Sequence, residues 1–258
     1  MTADAVRAAD LLEGKRRVVV LTGAGMSQES GVPTFRGAQT GLWARYDPME
    51  LATAEAFRRH PARVFGWYLW RFKLVRSVQP HAGHVALARM AGRFESFRVV
   101  TQNVDGLHRR AGSHDVVELH GSLEAFRCFD NAHPFDSAAL EPLAVPEGGE
   151  LRPPACPTCG SPVRPGVVWF GEMLPPGAFE RATDLVRRAD ALLVVGTSSV
   201  VYPAAALPEI AASRGVPVIE INPEETPLTS LADFRWAAPA AVALAELATA
   251  LGVESEPA

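Results

Sequence analysis

Cysteine is scarce in this sequence: there are three in 258 residues, an odd number, and two of them sit in one Cys-x-x-Cys. That excludes a secreted scaffold held by paired disulfides. No apolar run approaches the ~18 residues needed to span a bilayer. Residues 1–17 mix acids into a short apolar segment and lack the core of a secretory signal. Positive charge is not in excess either. Lys and Arg number 25 against 29 Asp and Glu, a formal net charge of −4, so nothing draws the chain to nucleic acid or to an anionic membrane. The expectation is a cytoplasmic enzyme or binding protein, with neither nucleic acid nor membrane as partner. At 48% apolar residues, the chain can bury one large domain, or a large one and a small one.

A further absence lies inside the most conspicuous stretch, "VVVLTGAGMSQESGVPTFRG", residues 18–37. It opens like a dinucleotide-binding turn, with an apolar run followed by Gly23 and Gly25. Gln28 stands where the usual third glycine would be. The acid expected at the end of a second strand about 20 residues later is also missing, because residues 38–50 contain acids but no strand to carry one. The turn offers backbone N–H groups to a phosphate, yet the dehydrogenase arrangement around it is incomplete.

What is present organises the rest. Residues 16–23, 97–103, 191–198 and 216–222 are short, continuously apolar runs, as expected for strands buried on both faces of a parallel sheet. Residues 81–93, 177–190 and 239–252 read as helices between or after them. The pattern predicts an α/β fold with a Rossmann-type, doubly wound parallel sheet. The strand ends TGAG, TQNVD, GTSS and INPE would converge on one crevice, where such sheets bind ligands. Residues 38–80, rich in aromatics, and residues 122–166, which hold all three cysteines, interrupt the alternation. They read as a helical insertion and a zinc-ribbon-like insertion that together form a smaller domain. The predicted nucleotide-binding domain then comprises 1–37, 81–121 and 167–258.

Several residues can carry chemistry. Gln102, Asn103 and Asp105 follow a strand and suit ribose hydroxyls or a carboxamide. His108, beside Arg109 and Arg110, reads as an exposed helix residue. His120 ends the apolar stretch of "VVELHGS", a place that suits a general base. Tyr68 and Arg71 are three apart on one helix face, amid Phe65, Trp67, Trp70 and Phe72. An arginine there either meets an anion or snorkels outward. Cys156 and Cys159 form a knuckle of the type that binds zinc. Upstream, Cys128 is present, but Asn131 occupies the partner position, leaving His133 as a fourth ligand at looser spacing. A Cys₃His zinc site and a knuckle without metal both remain open.

Taken in order, "GAGMSQESGVPTFRG", "TQNVDGLH", "ELHGS", "CPTCG", "VVWFGE", "GTSSVVYPAA" and "EINPE" resemble the sirtuin family over roughly residues 16–240. The resemblance implies an NAD-dependent protein lysine deacylase that consumes NAD instead of moving a hydride. By that resemblance Gly23, Ala24 and Gly25 line the pyrophosphate with Thr197 and Ser198 nearby, Ser27 and Gly196 belong to the same NAD site, and Asn222 reaches the adenosine ribose. Phe35 and Arg36 cover the reactive ribose, Asn103 and Asp105 surround the nicotinamide, and Gln102 belongs to the same NAD site. His120 and Asn103 are the implied catalytic residues. Val168, Trp169, Phe170 and Gly171 resemble the strand to which an acyl-lysine peptide adds. The Tyr68/Arg71 pair resembles that of members removing succinyl and malonyl groups, with acetyl-lysine expected as well. A structural zinc on Cys128, His133, Cys156 and Cys159 is implied, with Asn131 as the departure. A monomer is expected. An NAD-dependent oxidoreductase and a non-catalytic NAD or ADP-ribose sensor are the rival readings.

Overall fold

The computed structural model describes residues 2–33 and 47–253. Six strands form a parallel sheet: β1 (Arg17–Thr22), β2 (Ser96–Thr101), β3 (Val117–Glu118), β7 (Ala191–Val195), β8 (Val218–Ile221) and β9 (Phe234–Trp236). Their order is β3-β2-β1-β7-β8-β9. The chain therefore winds outward from β1 to one edge, returns to β7, and winds to the other. A crevice opens where the direction reverses, between β1 and β7.

Continuous apolar runs form these strands because helices cover both faces. Val18 and Val20 of β1 pack with Leu193 of β7 on one side, against α1 (Ala3–Leu12), α5 (Ala82–Met90) and α9 (Ala240–Ala250). Val19, Leu21, Leu192 and Val194 face the other side, under α7 (Ala178–Arg188) and α8 (Ala206–Ser213). Alternate residues of one strand thus feed two cores.

Residues 47–80 and 122–166, the described parts of the two interruptions, pack into one lobe around a shared core. Its helices are α2 (Pro48–Leu51), α3 (Ala54–Arg59) and α4 (Pro61–Ser77). Asp47 and Thr53 cap the first two through their side-chain oxygens, and Pro61 opens the third. The strands β4 (Gly121–Cys128), β5 (Pro134–Phe135) and β6 (Val163–Val167) make an antiparallel sheet in the order β5-β4-β6. Phe57, Phe65, Trp67, Phe72, Phe126 and Trp169 fill the space between helices and sheet. Gly66 sits mid-helix because a Cβ there would overlap the Gly149 carbonyl oxygen of the loop that crosses α4.

Two expectations change. His108 is not exposed: it is 2% accessible. The short helix α6 (Leu107–Arg110) turns it under the sheet, where Nε2 lies 2.9 Å from Thr22 Oγ1 and the ring packs 5.0 Å from His84. Its polar neighbours Arg109 and Arg110 face outward and disguise it. Residues 168–172 are not a strand either. β6 ends at Val167, and a turn closed by Glu172 N–H donating to the Trp169 carbonyl at 3.0 Å follows. A single bridge joins Phe170 to Thr53. Among the described residues, no helix is long and apolar enough to cross a membrane.

Candidate functional site

A cavity of about 1090 Å³ lies beyond the carboxyl ends of the parallel strands and under the small lobe. Its floor begins at the Gly23 turn. The segment Ala24–Ser30 is a 3₁₀-helix, ended by Gly31 in the left-handed conformation. This turn rests on the one after β7: Gly25 N–H donates to the Gly196 carbonyl at 2.7 Å, and Gly23 N–H to the Val195 carbonyl at 3.1 Å. Gly196 has φ +58°, and a Cβ on it would overlap the backbone nitrogen of Met26. Loop therefore meets loop backbone to backbone at the crevice. Gly23 and Ala24 line the cavity, whereas the N–H of Gly25 is spent on the neighbouring loop.

Thr197 joins three strand ends. Its hydroxyl accepts from Gln102 Nε2 at 3.0 Å, and its carbonyl accepts from Asn222 Nδ2 at 2.9 Å. Asn222, predicted at a ribose, is 1% accessible and also accepts the N–H of Glu224. It braces the loop, while Glu224, Glu225, Thr226 and Pro227 line the cavity at that end. Glu224 belongs to the INPE strand end read from the sequence, whereas Glu225, Thr226 and Pro227 were passed over. The signal available was their position directly after a strand. Ser198 lines the same wall.

Asn103 Nδ2 donates to Ser27 Oγ at 3.0 Å, and Ser27 in turn hydrogen-bonds Asp105. Asp105 is 4% accessible and accepts the Leu107 N–H at 2.9 Å. Burial pushes its carboxyl above the usual range, against the pull of that N–H, Ser27 and Arg71. The neutral amides of Gln102 and Asn103 follow β2, the neighbour of β1. They occupy the place where a dehydrogenase would carry its acid.

His120 enters from the turn after β3. Its Nδ1 lies 3.1 Å from the Gln102 carbonyl, which fixes that nitrogen as the N–H donor and leaves Nε2 as the basic one. Burial holds its pKa below the usual histidine value, partly offset by the hydrogen bond to Gln102. The imidazole is therefore neutral at pH 7, the form a base requires.

The wall facing the small lobe is aromatic and cationic. Tyr68 and Arg71 of α4 are 2% and 6% accessible and both line the cavity. The Arg71 guanidinium sits 4.8 Å from the Trp67 ring centre and 5.7 Å from that of Tyr68. It is buried among rings and does not snorkel. Burial lifts the Tyr68 phenol to about 12, the nearby Arg71 notwithstanding, so Tyr68 remains a hydrogen-bond donor. Burial lowers Arg71, opposed by Tyr68 and Asp105. Val168, Trp169, Phe170 and Gly171 complete this wall, with Phe170 half exposed at 51%. Phe35 and Arg36 lie outside the described residues.

Cys128, His133, Cys156 and Cys159 gather apart from the cavity, with their ligand atoms all within 4.8 Å of one another. The His133 Nδ1 to sulfur distances are 3.6 and 3.7 Å, and Cys159 Sγ lies 3.8 Å from Cys128 Sγ. Thiolates about 2.3 Å from a tetrahedral zinc stand about 3.8 Å apart, so the set fits that ion. Asn131 is no ligand: its side chain hydrogen-bonds Cys159 from the rim. Bound there, zinc would tie β4 to the 156–159 knuckle, a cross-link without a part in cavity chemistry.

Comparison with known proteins agrees with this arrangement. A model described as the Sir2 family matches residues 23–203. An NAD-dependent protein deacylase 1 of Pseudomonas aeruginosa is 53% identical over 215 residues, spanning 83% of this chain and 86% of that one. An NAD-dependent protein deacylase of Aquifex aeolicus is 51% identical over 219 residues, 85% of this chain and 88% of the relative. Among solved structures, a Sir2 homologue in complex with NAD matches with a TM-score of 0.85 at 45% identity, covering 95% of this chain and 93% of that chain. A Sir2 variant with a deacetylated p53 peptide and 3′-O-acetyl ADP ribose matches with a TM-score of 0.86 at 32% identity, covering 96% and 98%. By the family match, by identity over most of its length and by fold, the chain belongs to the Sir2 family, the sirtuins.

Proposed function

We propose that this chain is an NAD-dependent protein lysine deacylase that removes succinyl, malonyl and acetyl groups. The observation that carries the reading is His120. It is a neutral imidazole of fixed tautomer, in one cavity with the Gly23 turn and the amides of Gln102 and Asn103. In this reading NAD lies across the crevice as a substrate. Gly23, Ala24, Thr197 and Ser198 hold its phosphates, and Asn103, Ser27 and Asp105 surround the nicotinamide. The amide oxygen of the acyl-lysine attacks the anomeric carbon as nicotinamide leaves. His120 Nε2 takes a proton from a ribose hydroxyl, and that oxygen attacks the carbon of the former amide. Water then completes release of lysine and O-acyl-ADP-ribose. General-base help of this kind is worth ~10²–10⁴-fold.

Tyr68 and Arg71 supply the acyl preference. A buried guanidinium beside a protonated phenol suits a distal carboxylate in an otherwise apolar channel, which supports succinyl and malonyl over a neutral acyl group. The substrate backbone would lie along residues 168–171. The N–H groups of Val168, Trp169 and Phe170 are already engaged, by His120, Glu172 and Ala52, so pairing there would rest on Gly171 and on carbonyl oxygens.

Mass-spectrometric turnover of matched acetyl- and succinyl-lysine peptides, with and without NAD, tests this. NAD-dependent loss of the acyl group should release nicotinamide without the absorbance of NADH. His120→Ala should lower turnover by ~10²–10⁴-fold while NAD still binds. NAD binding without turnover in the wild type would favour a sensor instead.

A further inference from the structure

At the cavity wall lies an ion pair that the chemistry above does not use, with Glu172 lining the cavity and Arg164 set behind it. Arg164, on β6, is 3% accessible, and every nitrogen of its guanidinium is engaged. Nε donates to the Pro165 carbonyl at 3.2 Å and Nη2 to the Val167 carbonyl at 2.9 Å. Nη1 and Nη2 both reach the Glu172 carboxylate, the second at 3.0 Å. The plane of the guanidinium covers the Trp169 ring, with Cζ 3.4 Å from the ring centre. The same carboxylate accepts the Trp169 N–H at 2.9 Å. Trp169 in turn packs 6.0 Å from the Tyr68 ring and 5.3 Å from that of Phe57.

Ion pairs with a buried member seldom add much net stability, because desolvating the buried ion, here Arg164, offsets the attraction, while Glu172 keeps 22% of its side-chain surface open. Their better-attested use is to select one conformation. Here the pair touches three things together: the end of β6, the Trp169 ring that packs on Tyr68, and the backbone of the 168–172 turn. Glu172 also occupies the Trp169 N–H, and so withdraws that donor from any incoming strand.

We propose that Arg164 and Glu172 are positioning residues for the acylated substrate: their fork sets the Trp169 wall of the acyl channel and the backbone register open to the peptide, while NAD binding is independent of it. This rests on the deacylase reading for the identity of the substrate. A bidentate, stacked guanidinium has geometry that an ammonium cannot reproduce, so shape as well as charge is required.

The test uses the full chain as wild type, Glu172→Gln and Arg164→Lys. Peptide affinity is measured by fluorescence anisotropy of a labelled succinyl-lysine peptide, NAD affinity by calorimetry, and turnover by mass spectrometry. Glu172→Gln should raise the peptide KM and Kd about tenfold, as expected for a misplaced binding surface, with kcat changed less and NAD affinity unchanged. Arg164→Lys should behave like Glu172→Gln, although it keeps the charge. Peptide binding at wild-type strength in both variants would overturn the proposal, as would an equal loss of NAD affinity. If Glu172→Gln melts before assay, Glu172→Asp, which keeps the charge but is too short for the full fork, must show the same selective loss. Wild type that binds the peptide without turnover would sink the deacylase reading and leave the binding comparison to judge the brace. Wild type that neither binds nor turns over peptide would sink both.

Discussion

The two walls of the cavity are built on opposite principles. Beneath the Gly23 turn, the ends of β1 and β2 are joined by neutral groups: Thr22 hydroxyl to Thr101 hydroxyl, Thr22 to His108, and Asn103 N–H to Thr101. His81 fastens the turn itself, with Nε2 2.6 Å from the Met26 carbonyl. Across the cavity, the small-lobe wall buries two guanidinium groups among aromatic rings. In the proposed reading a diphosphate and a ribose would be held by backbone and amides, which need close approach more than charge. A distal carboxylate needs a cation, and a cation can be buried only where rings and a counter-charge hold it. Under the proposed function, nucleotide recognition and acyl recognition would be separable, each failing by its own route.

Lowering the pH breaks the neutral side with the largest expected effect. Burial, with His108 and His81 nearby, holds His84 at about 2; burial, with His81 nearby, holds His108 at about 3. Both are depressed below the unfolded value, so the unfolded chain binds more protons and stability falls as pH falls from about 6.5. Two such histidines should remove about 3–4 kcal/mol between pH 7 and pH 5. Urea unfolding across that range checks it, and His84→Leu should flatten the slope. A flat profile in the wild type would mean that the pair is protonated at little cost.

Gly196→Ala attacks the same side through sterics. The left-handed backbone and the overlap with Met26 should cost about 2–3 kcal/mol and weaken NAD binding, as thermal melting and calorimetry would show. The preference between acyl groups should not change, because Tyr68 and Arg71 stand on α4, an element separate from this turn. A variant with altered preference and intact NAD affinity would join what the comparison separates.

How much of this is visible in the sequence follows the same division. β1, β2, β7 and β8 were legible because strands covered on both faces are continuous apolar runs, and their polar ends marked the crevice. The edge strand Phe234–Trp236 and the helix Ala3–Leu12 were not. The first is three residues long, and the second turns mainly Ala5, Ala8 and Leu12 inward, a faint apolar stripe. His120 and the Tyr68/Arg71 pair stood out by place and spacing. The burial of His108 did not, since a four-residue helix has no periodicity to read. Nor did the Arg164–Glu172 fork, because the partners meet across a turn that no local pattern announces. Spacing suggested the Cys₃His set, but left it open until the distances between ligand atoms bore on it. That Gly25 and Asn222 spend their donors on neighbouring loops depends on tertiary contact alone.

The cationic wall is tested most directly by Arg71→Met, assayed with matched succinyl- and acetyl-lysine peptides at saturating NAD. A charge-assisted contact to a carboxylate is worth about 1.5–3 kcal/mol, so kcat/KM for succinyl-lysine should fall about 10- to 100-fold while that for acetyl-lysine stays within about threefold. Equal loss for both peptides, or no loss for succinyl-lysine, would contradict the account and make Arg71 a residue of packing alone.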